Sequence, residues 1–243
     1  MRAILASLIS IFMSAASGVA MAGDRSVVVV ELFTSQGCSS CPPADKFLGE
    51  LARHDDILPL AMHVDYWDYI GWKDTFARPE HTKRQKAYAY GFGTKSIYTP
   101  QMVIGGTDQA VGSHVMKVME ILHRHQMAVA QVSLSTQDSE NGRVVRVANI
   151  ANRPLPAPVV AQIVHFAPKA TVSVKRGENA GRSITSTNIV TDVQAFGKWD
   201  GKGEIEFLLQ KPLAPEGQKA AIILQATRMG DYPGEIVAAI ALD

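Results

Sequence analysis

Between Val27 and about Met127, short apolar runs alternate with stretches of helical period, the rhythm of βα units in a largely parallel sheet. Residues 27–34 and 57–64 predict strands. Residues 42–52 bring Phe47, Leu48 and Leu51 to one helical face, and Pro79 heads a second helix that Gly91 is placed to end. Residues 101–112 read as a hairpin. Ser113 is a cap for a last helix running to His125, with Val115, Val118, Met119 and Leu122 on one face. The aromatic and acidic segment at 65–74 follows no clean period and predicts an ordered insertion.

Beyond Met127 the period shortens to that of strands, at 131–136, 143–149, 159–166, 171–175, 184–193, 204–209, 220–227 and 235–241. Turn clusters separate them, which predicts a small β-sandwich. The expected division is residues 1–22 as a signal peptide, 23–128 as an α/β domain and 129–243 as an all-β sandwich-like domain. A short linker implies that the two parts pack together.

Met1-Arg2 followed by the uncharged stretch 3–22, which ends Ala20-Met21-Ala22, has the charged start, apolar middle and small-residue exit of a secretory signal. Cleavage is expected after Ala22, with the periplasm or the exterior as destination. No later stretch nears the roughly 20 apolar residues of a membrane helix, so no membrane span is expected after cleavage. Removing Arg2 leaves 23 basic against 23 acidic residues. Nucleic-acid binding therefore has no electrostatic support. Oligomeric state is not legible.

The chain has two cysteines, Cys38 and Cys41, directly after the first apolar run. Strand, tight turn, C-x-x-C and helix put the first sulfur near unpaired backbone N–H groups and the positive end of a helix dipole, which favour a thiolate. Cys38 is then the exposed nucleophile, and Cys41, one turn on, resolves the mixed disulfide. A structural bridge and half of a metal site are the competing readings of the pair. Pro42 and Pro43 cannot donate helix hydrogen bonds, which weakens the dipole's help to Cys38. Ser39 and Ser40 hydroxyls are alternative donors to its sulfur.

The run from Leu32 to Asp45, Val64-Asp65-Tyr66-Trp67-Asp68, Tyr98-Thr99-Pro100-Gln101 and Arg176-Gly177-Glu178-Asn179-Ala180-Gly181-Arg182 together resemble an exported bacterial thioredoxin-like family described as a domain of unknown function. The resemblance covers nearly all of the mature chain. It implies a thioredoxin-like fold, a cis Pro100 facing the cysteines, and Thr99 backbone groups that pair with an incoming peptide. Glu31 resembles the buried acid that relays protons behind the cysteines in thioredoxins. Trp67, with Tyr66, Tyr69 and Trp72, lines a substrate groove or fills a gap between domains. His63 reads as a structural histidine at the carboxyl end of the second strand. The polar loop 176–182 binds an anion or ties a turn.

The leading functional expectation is a periplasmic thiol-disulfide oxidoreductase exchanging disulfides with partner proteins, with no cofactor beyond a Cys38–Cys41 disulfide. The alternatives are a secreted non-catalytic binding protein and Cu(I) handling by Cys38 and Cys41 with His63 or Met102.

Overall fold

The computed structural model describes residues 27–151, 153–156, 158–228 and 232–242; the expected signal peptide lies outside them. The first strand, β1 (Val28–Thr34), is buried along its whole length and followed by α1 (Pro42–Leu51), β2 (Ile57–His63) and α2 (Pro79–Gly91). The hairpin β3 (Gln101–Ile104) and β4 (Asp108–Val111) then leads into α3 (Val115–Gln126). β1 pairs parallel with β2 and antiparallel with β3. Pro79 heads α2 as the sequence implies, whereas α3 starts after His114, without a side-chain cap from Ser113. The insertion at 65–74 is ordered around one 3-10 turn, Asp68–Ile70.

The later strands are β5 (Val132–Ser139), β6 (Gly142–Asn149), β7 (Val159–Ser173), β8 (Ser183–Trp199), β9 (Glu204–Leu209), β10 (Lys219–Arg228) and β11 (Tyr232–Leu242). They overturn the expectation of an α/β thioredoxin-like domain followed by a separate sandwich. Strand dominates the molecule, and one mixed eight-stranded sheet of order β11-β10-β7-β8-β2-β1-β3-β4 contains strands from both sides of residue 128. Only β5, β6 and β9 form a second sheet. The join is narrow: β8 meets β2 in parallel at Ala61 and Ile189.

Burial explains why the two parts merge. β10 is apolar on both faces from Ala220 to Leu224, and a strand of that kind must be covered twice. One face meets the three-stranded sheet in a core built around Trp199, Val145 and Ile222. The other meets β1 and β2 in a core that mixes Phe33, Leu60 and Met62 with Phe166, Val190 and Ile223. The sheet coils far enough for Ile236 N–H of β11 to bond Gly105 O, after β3, at 2.9 Å. Helices α1 and α3 cover the outer face of β1 through Leu48, Leu51, Ile121 and Leu122.

β7 and β8 are long for strands, and their far ends leave the sheet. β10 pairs with β7 only as far as Phe166, and from Ala167 to Ser173 β7 has β8 as its strand partner. Pro168 sits where that departure begins, a place that does not need its missing N–H. Asn188 opposite it takes a positive φ of 49° and ties its side-chain amide to Pro59 O at 2.9 Å. The result is a two-stranded arm that reaches back over the amino-terminal part.

Glu31 shows how β1 is read. Val30 and Leu32 face α1, so Glu31 faces the opposite core by strand alternation. There its carboxylate accepts from Arg84 Nε at 2.6 Å and from the Tyr88 hydroxyl. Arg84 continues to Gln225 Oε1 at 2.8 Å. Burial, the Glu31 charge and its hydrogen bond together push the Tyr88 phenol up, despite the lowering effect of Arg84. We predict that Arg84→Ala, which strands a fully buried carboxylate, costs about 3–5 kcal/mol in urea unfolding, and that Glu31→Gln in the same chain recovers part of it. A loss under about 1 kcal/mol would show that this pair does not hold β1 to β10.

Candidate functional site

The cysteines lie where the carboxyl end of β1 turns into α1. Cys41 is the residue that caps α1, and its carbonyl accepts from Ala44 N–H at 2.9 Å and Asp45 N–H at 3.1 Å. Pro42 and Pro43 fill the first two helical positions, which need no intrahelical donor, so the helix start is intact. The same prolines remove two N–H groups from the helix end that faces the sulfurs. Ser40 Oγ stands 3.4 Å from Cys38 Sγ as the nearest side-chain partner. Cys38 and Cys41 are joined as a disulfide across a Cα separation of 5.4 Å.

Both sulfurs are covered. Cys38 is 1% exposed and Cys41 0%, against the expectation of an open first cysteine. Ser39 and Ser40 between them are exposed and form the rim. Three supports hold the loop. Gln36 N–H donates to Asp74 Oδ2 at 2.7 Å, and Trp72 Nε1 donates to Gln36 Oε1 at 2.9 Å. Gly37 lies against Trp67, where an added Cβ would stand 3.3 Å from the tryptophan's own Cβ. The third support comes from the tip of the β7–β8 arm: Asn179, 0% exposed, donates from Nδ2 to Gln36 O at 3.0 Å and to Cys38 O at 2.9 Å. Beside it Ser39 N–H donates to Glu178 Oε2 at 3.2 Å. The loop 176–182 therefore ties the cysteine turn.

Thr99 and Pro100 are joined by a cis peptide bond and reach the same place. Trp67 Nε1 donates to Thr99 Oγ1 at 2.7 Å, so one residue links the proline turn, through its indole, and the Gly37 that precedes Cys38, through its Cβ and main-chain oxygen. Pro100 O accepts from Gly112 N–H at 2.9 Å, and Gly112 in turn packs on Ala44 of α1. Gln85 of α2, fully buried, donates to Tyr98 O at 2.7 Å and to Gln101 Oε1 at 2.8 Å, holding the turn on both sides. Tyr69 points to solvent, while Tyr66 has a buried hydroxyl without a partner among the described residues and a phenol pushed up to about 12, chiefly by burial. Of the residues singled out in the sequence, Cys38, Cys41, Trp67, Thr99 and Pro100 converge. Glu31 does not, because it faces away from α1 into the Arg84 pair.

A different acid lies behind the cysteines. Asp45, four residues after Cys41, is 4% exposed, and its carboxyl is raised to about 7, chiefly by burial, with His63 and Thr34 opposing. Asp45 Oδ1, Thr34 Oγ1 and His63 Nε2 are all buried without a hydrogen-bond partner among the described residues. On its other side His63 Nδ1 donates to Asp74 Oδ2 at 2.7 Å. Burial alone would raise Asp74, but His63 and the N–H groups of Gln36 and Phe76 outweigh it and hold the carboxyl below its usual range. His63 O accepts from His81 Nδ1 at 2.9 Å, and burial lowers that imidazole to about 4. Among the described residues no three His, Cys, Asp or Glu side chains converge as a metal site, and Met102 lies buried in the α1 core.

The family model of a protein of unknown function, DUF1223, matches residues 29–225. The chain belongs to the DUF1223 family. Among solved structures, a crystal structure of a protein from Agrobacterium tumefaciens is similar over 90% of this chain and 95% of that one, with 30% identity and a TM-score of 0.77. HBP35 of Porphyromonas gingivalis is similar in fold over 90% of this chain and 75% of its own, with 13% identity and a TM-score of 0.58. The sequence matches no curated protein. Membership of DUF1223 gives the cysteine turn, the proline turn and the arm tip a shared frame, since Cys38, Pro100 and Asn179 all fall inside the matched span.

Asp45 generates a prediction. An acid raised in the folded state binds more protons folded than unfolded, so its ionisation destabilises the fold as pH rises from about 4 to about 7. Asp45→Asn removes that slope. In urea unfolding of the oxidised protein the variant should match the wild type at pH 4 and exceed it by on the order of 3 kcal/mol at pH 8. Parallel profiles for the two proteins would contradict a buried, unpaired carboxyl.

Proposed function

We propose that this protein is an exported thiol-disulfide oxidoreductase, related through its site to the thioredoxin-like superfamily, that exchanges disulfides with partner proteins. The observation that carries the reading is the junction at Trp67 of the Cys38–Cys41 turn at a helix start and the cis Thr99-Pro100 turn: its indole N–H bonds Thr99, and its Cβ and main-chain oxygen lie against Gly37, next to Cys38. Thr99 supports it further, because its N–H and C=O have no partner among the described residues and suit an extended peptide.

In the exchange, a partner thiolate attacks Cys38 Sγ, the Cys38–Cys41 bond breaks, and Cys41 leaves as a thiolate that takes a proton. Asp45, on the same face of the helix start, is an acid with a carboxyl titrating near 7 and is the group placed to supply that proton. A second partner thiolate then attacks the partner sulfur of the mixed disulfide and expels Cys38 as a thiolate. The partner is oxidised by two electrons and the Cys38–Cys41 pair reduced by two; the reverse sequence reduces a partner. Because Cys38 is covered, the Ser39–Ser40 rim or the Asn179 loop must open for the first attack.

That cover also favours a second reading, a secreted binding protein in which the disulfide staples the turn and takes no part in exchange. Trapping separates the two. With Cys41→Ser in the exported chain, Cys38 should accumulate mixed disulfides with partner proteins, visible as adducts that reductant removes. Cys38→Ser should give none. No adduct in either variant would leave the staple standing.

A further inference from the structure

Beside Pro42, α1 packs on the outlying end of β8 through Gly49 and Thr187, and the two flank an open groove of about 360 Å3. Its α1 side carries Lys46 and Arg53, and its arm side Lys169 and Arg182. All four are exposed, and none forms an ion pair with a carboxylate among the described residues. Arg182 instead donates to Asn179 Oδ1 at 3.1 Å, which joins the groove to the residue that clamps Cys38. Glu50 is the one exposed acid on the lining, and the floor includes Asp45 with its unpartnered Oδ1. On a chain of formal net charge +1, this is a local surplus of positive charge.

The wall made by β8 is informative. The groove touches Ser183, Ile184, Thr185 and Thr187. Successive strand residues point to opposite faces, so a cavity that touches three in a row runs along the strand's edge. β7 occupies one edge of β8 there, while on the other β2 meets it only at Ile189. An edge of this kind accepts an extended chain through backbone hydrogen bonds. The α1 wall from Pro42 to Leu51 is about 14 Å long, room for about four extended residues. A small anion satisfies the charges but leaves the strand edge unused.

We propose that this groove docks an extended segment of a partner polypeptide rich in Asp and Glu, laid along the β8 edge between Lys46 and Lys169 and directed past Arg182 toward Cys38. What the docked segment does rests on the oxidoreductase reading; which segment docks rests on the groove. The probe is a fluorescein-labelled, cysteine-free peptide of alternating Glu and Ser, with a Lys and Ser peptide as control, titrated by anisotropy against the oxidised chain. The acidic peptide should bind about tenfold or more tightly than the basic one and weaken steeply with added salt. Lys46→Gln with Arg53→Gln and Lys169→Gln should abolish that preference, with circular dichroism and the unfolding midpoint showing that the variant is folded.

Equal binding of the two peptides, or an unchanged preference in the folded variant, overturns the proposal. If the variant does not fold, the salt titration of the wild type decides instead, and acidic-peptide binding that salt leaves unchanged overturns the proposal. Because the probe lacks sulfur, the outcomes separate: charge preference without disulfide exchange rejects the oxidoreductase reading and keeps the groove, and exchange without charge preference does the reverse.

Discussion

One buried amide holds the site together across 141 positions of sequence: Asn179 Nδ2 shared between the carbonyls of Gln36 and Cys38. Gln36 O has no other partner among the described residues, and leaving it buried and unpaired costs about 1–3 kcal/mol, while Cys38 O also accepts from Cys41 N–H at 3.2 Å. The Asn side chain bonds both at once. For it to arrive there, β7 and β8 must run beyond the sheet as an arm, and β8 must lie beside β2. The all-β half of the molecule is thus a working part of the cysteine turn, and this explains why the two halves share a sheet and a core.

The site also sorts its charges by face. On one side of β1, Glu31 is balanced by Arg84 and locks α2 to β10. On the other, Asp45 has no guanidinium or ammonium partner, and burial raises its carboxyl to about 7 despite the nearby His63. Strand alternation decides which acid serves which purpose. Burial without a guanidinium partner is what raises the Asp45 carboxyl and lets it act as an acid near neutral pH.

Much of this is legible in the sequence. The positions of β1, α1, β2, α2 and the hairpin follow from hydrophobic period and from Pro79 and Gly91. Trp67, singled out by its motif, reaches both Thr99, which precedes Pro100, and Gly37, which precedes Cys38. What period does not encode is partner choice: strands beyond residue 128 are identifiable, yet nothing local says that Ile189 lies against Ala61. The sequence divides 159–166 from 171–175, yet β7 runs unbroken through Pro168, and only the departure of β7 from β10 shows why that proline is tolerated. Asp45 is hard to single out because it flanks the apolar face of α1 and looks like a solvated charge in a helix's first turn. Its position beside Ala44, on the flank nearest Leu48, is the available signal.

The most direct test of the proposed oxidoreductase mechanism is the reduction potential of the Cys38–Cys41 pair, measured by equilibrating the purified protein in glutathione buffers and quantifying its thiols. A pair that turns over with partner proteins should be reduced at potentials above about −300 mV. A value below about −300 mV would mark a structural bridge and contradict the mechanism.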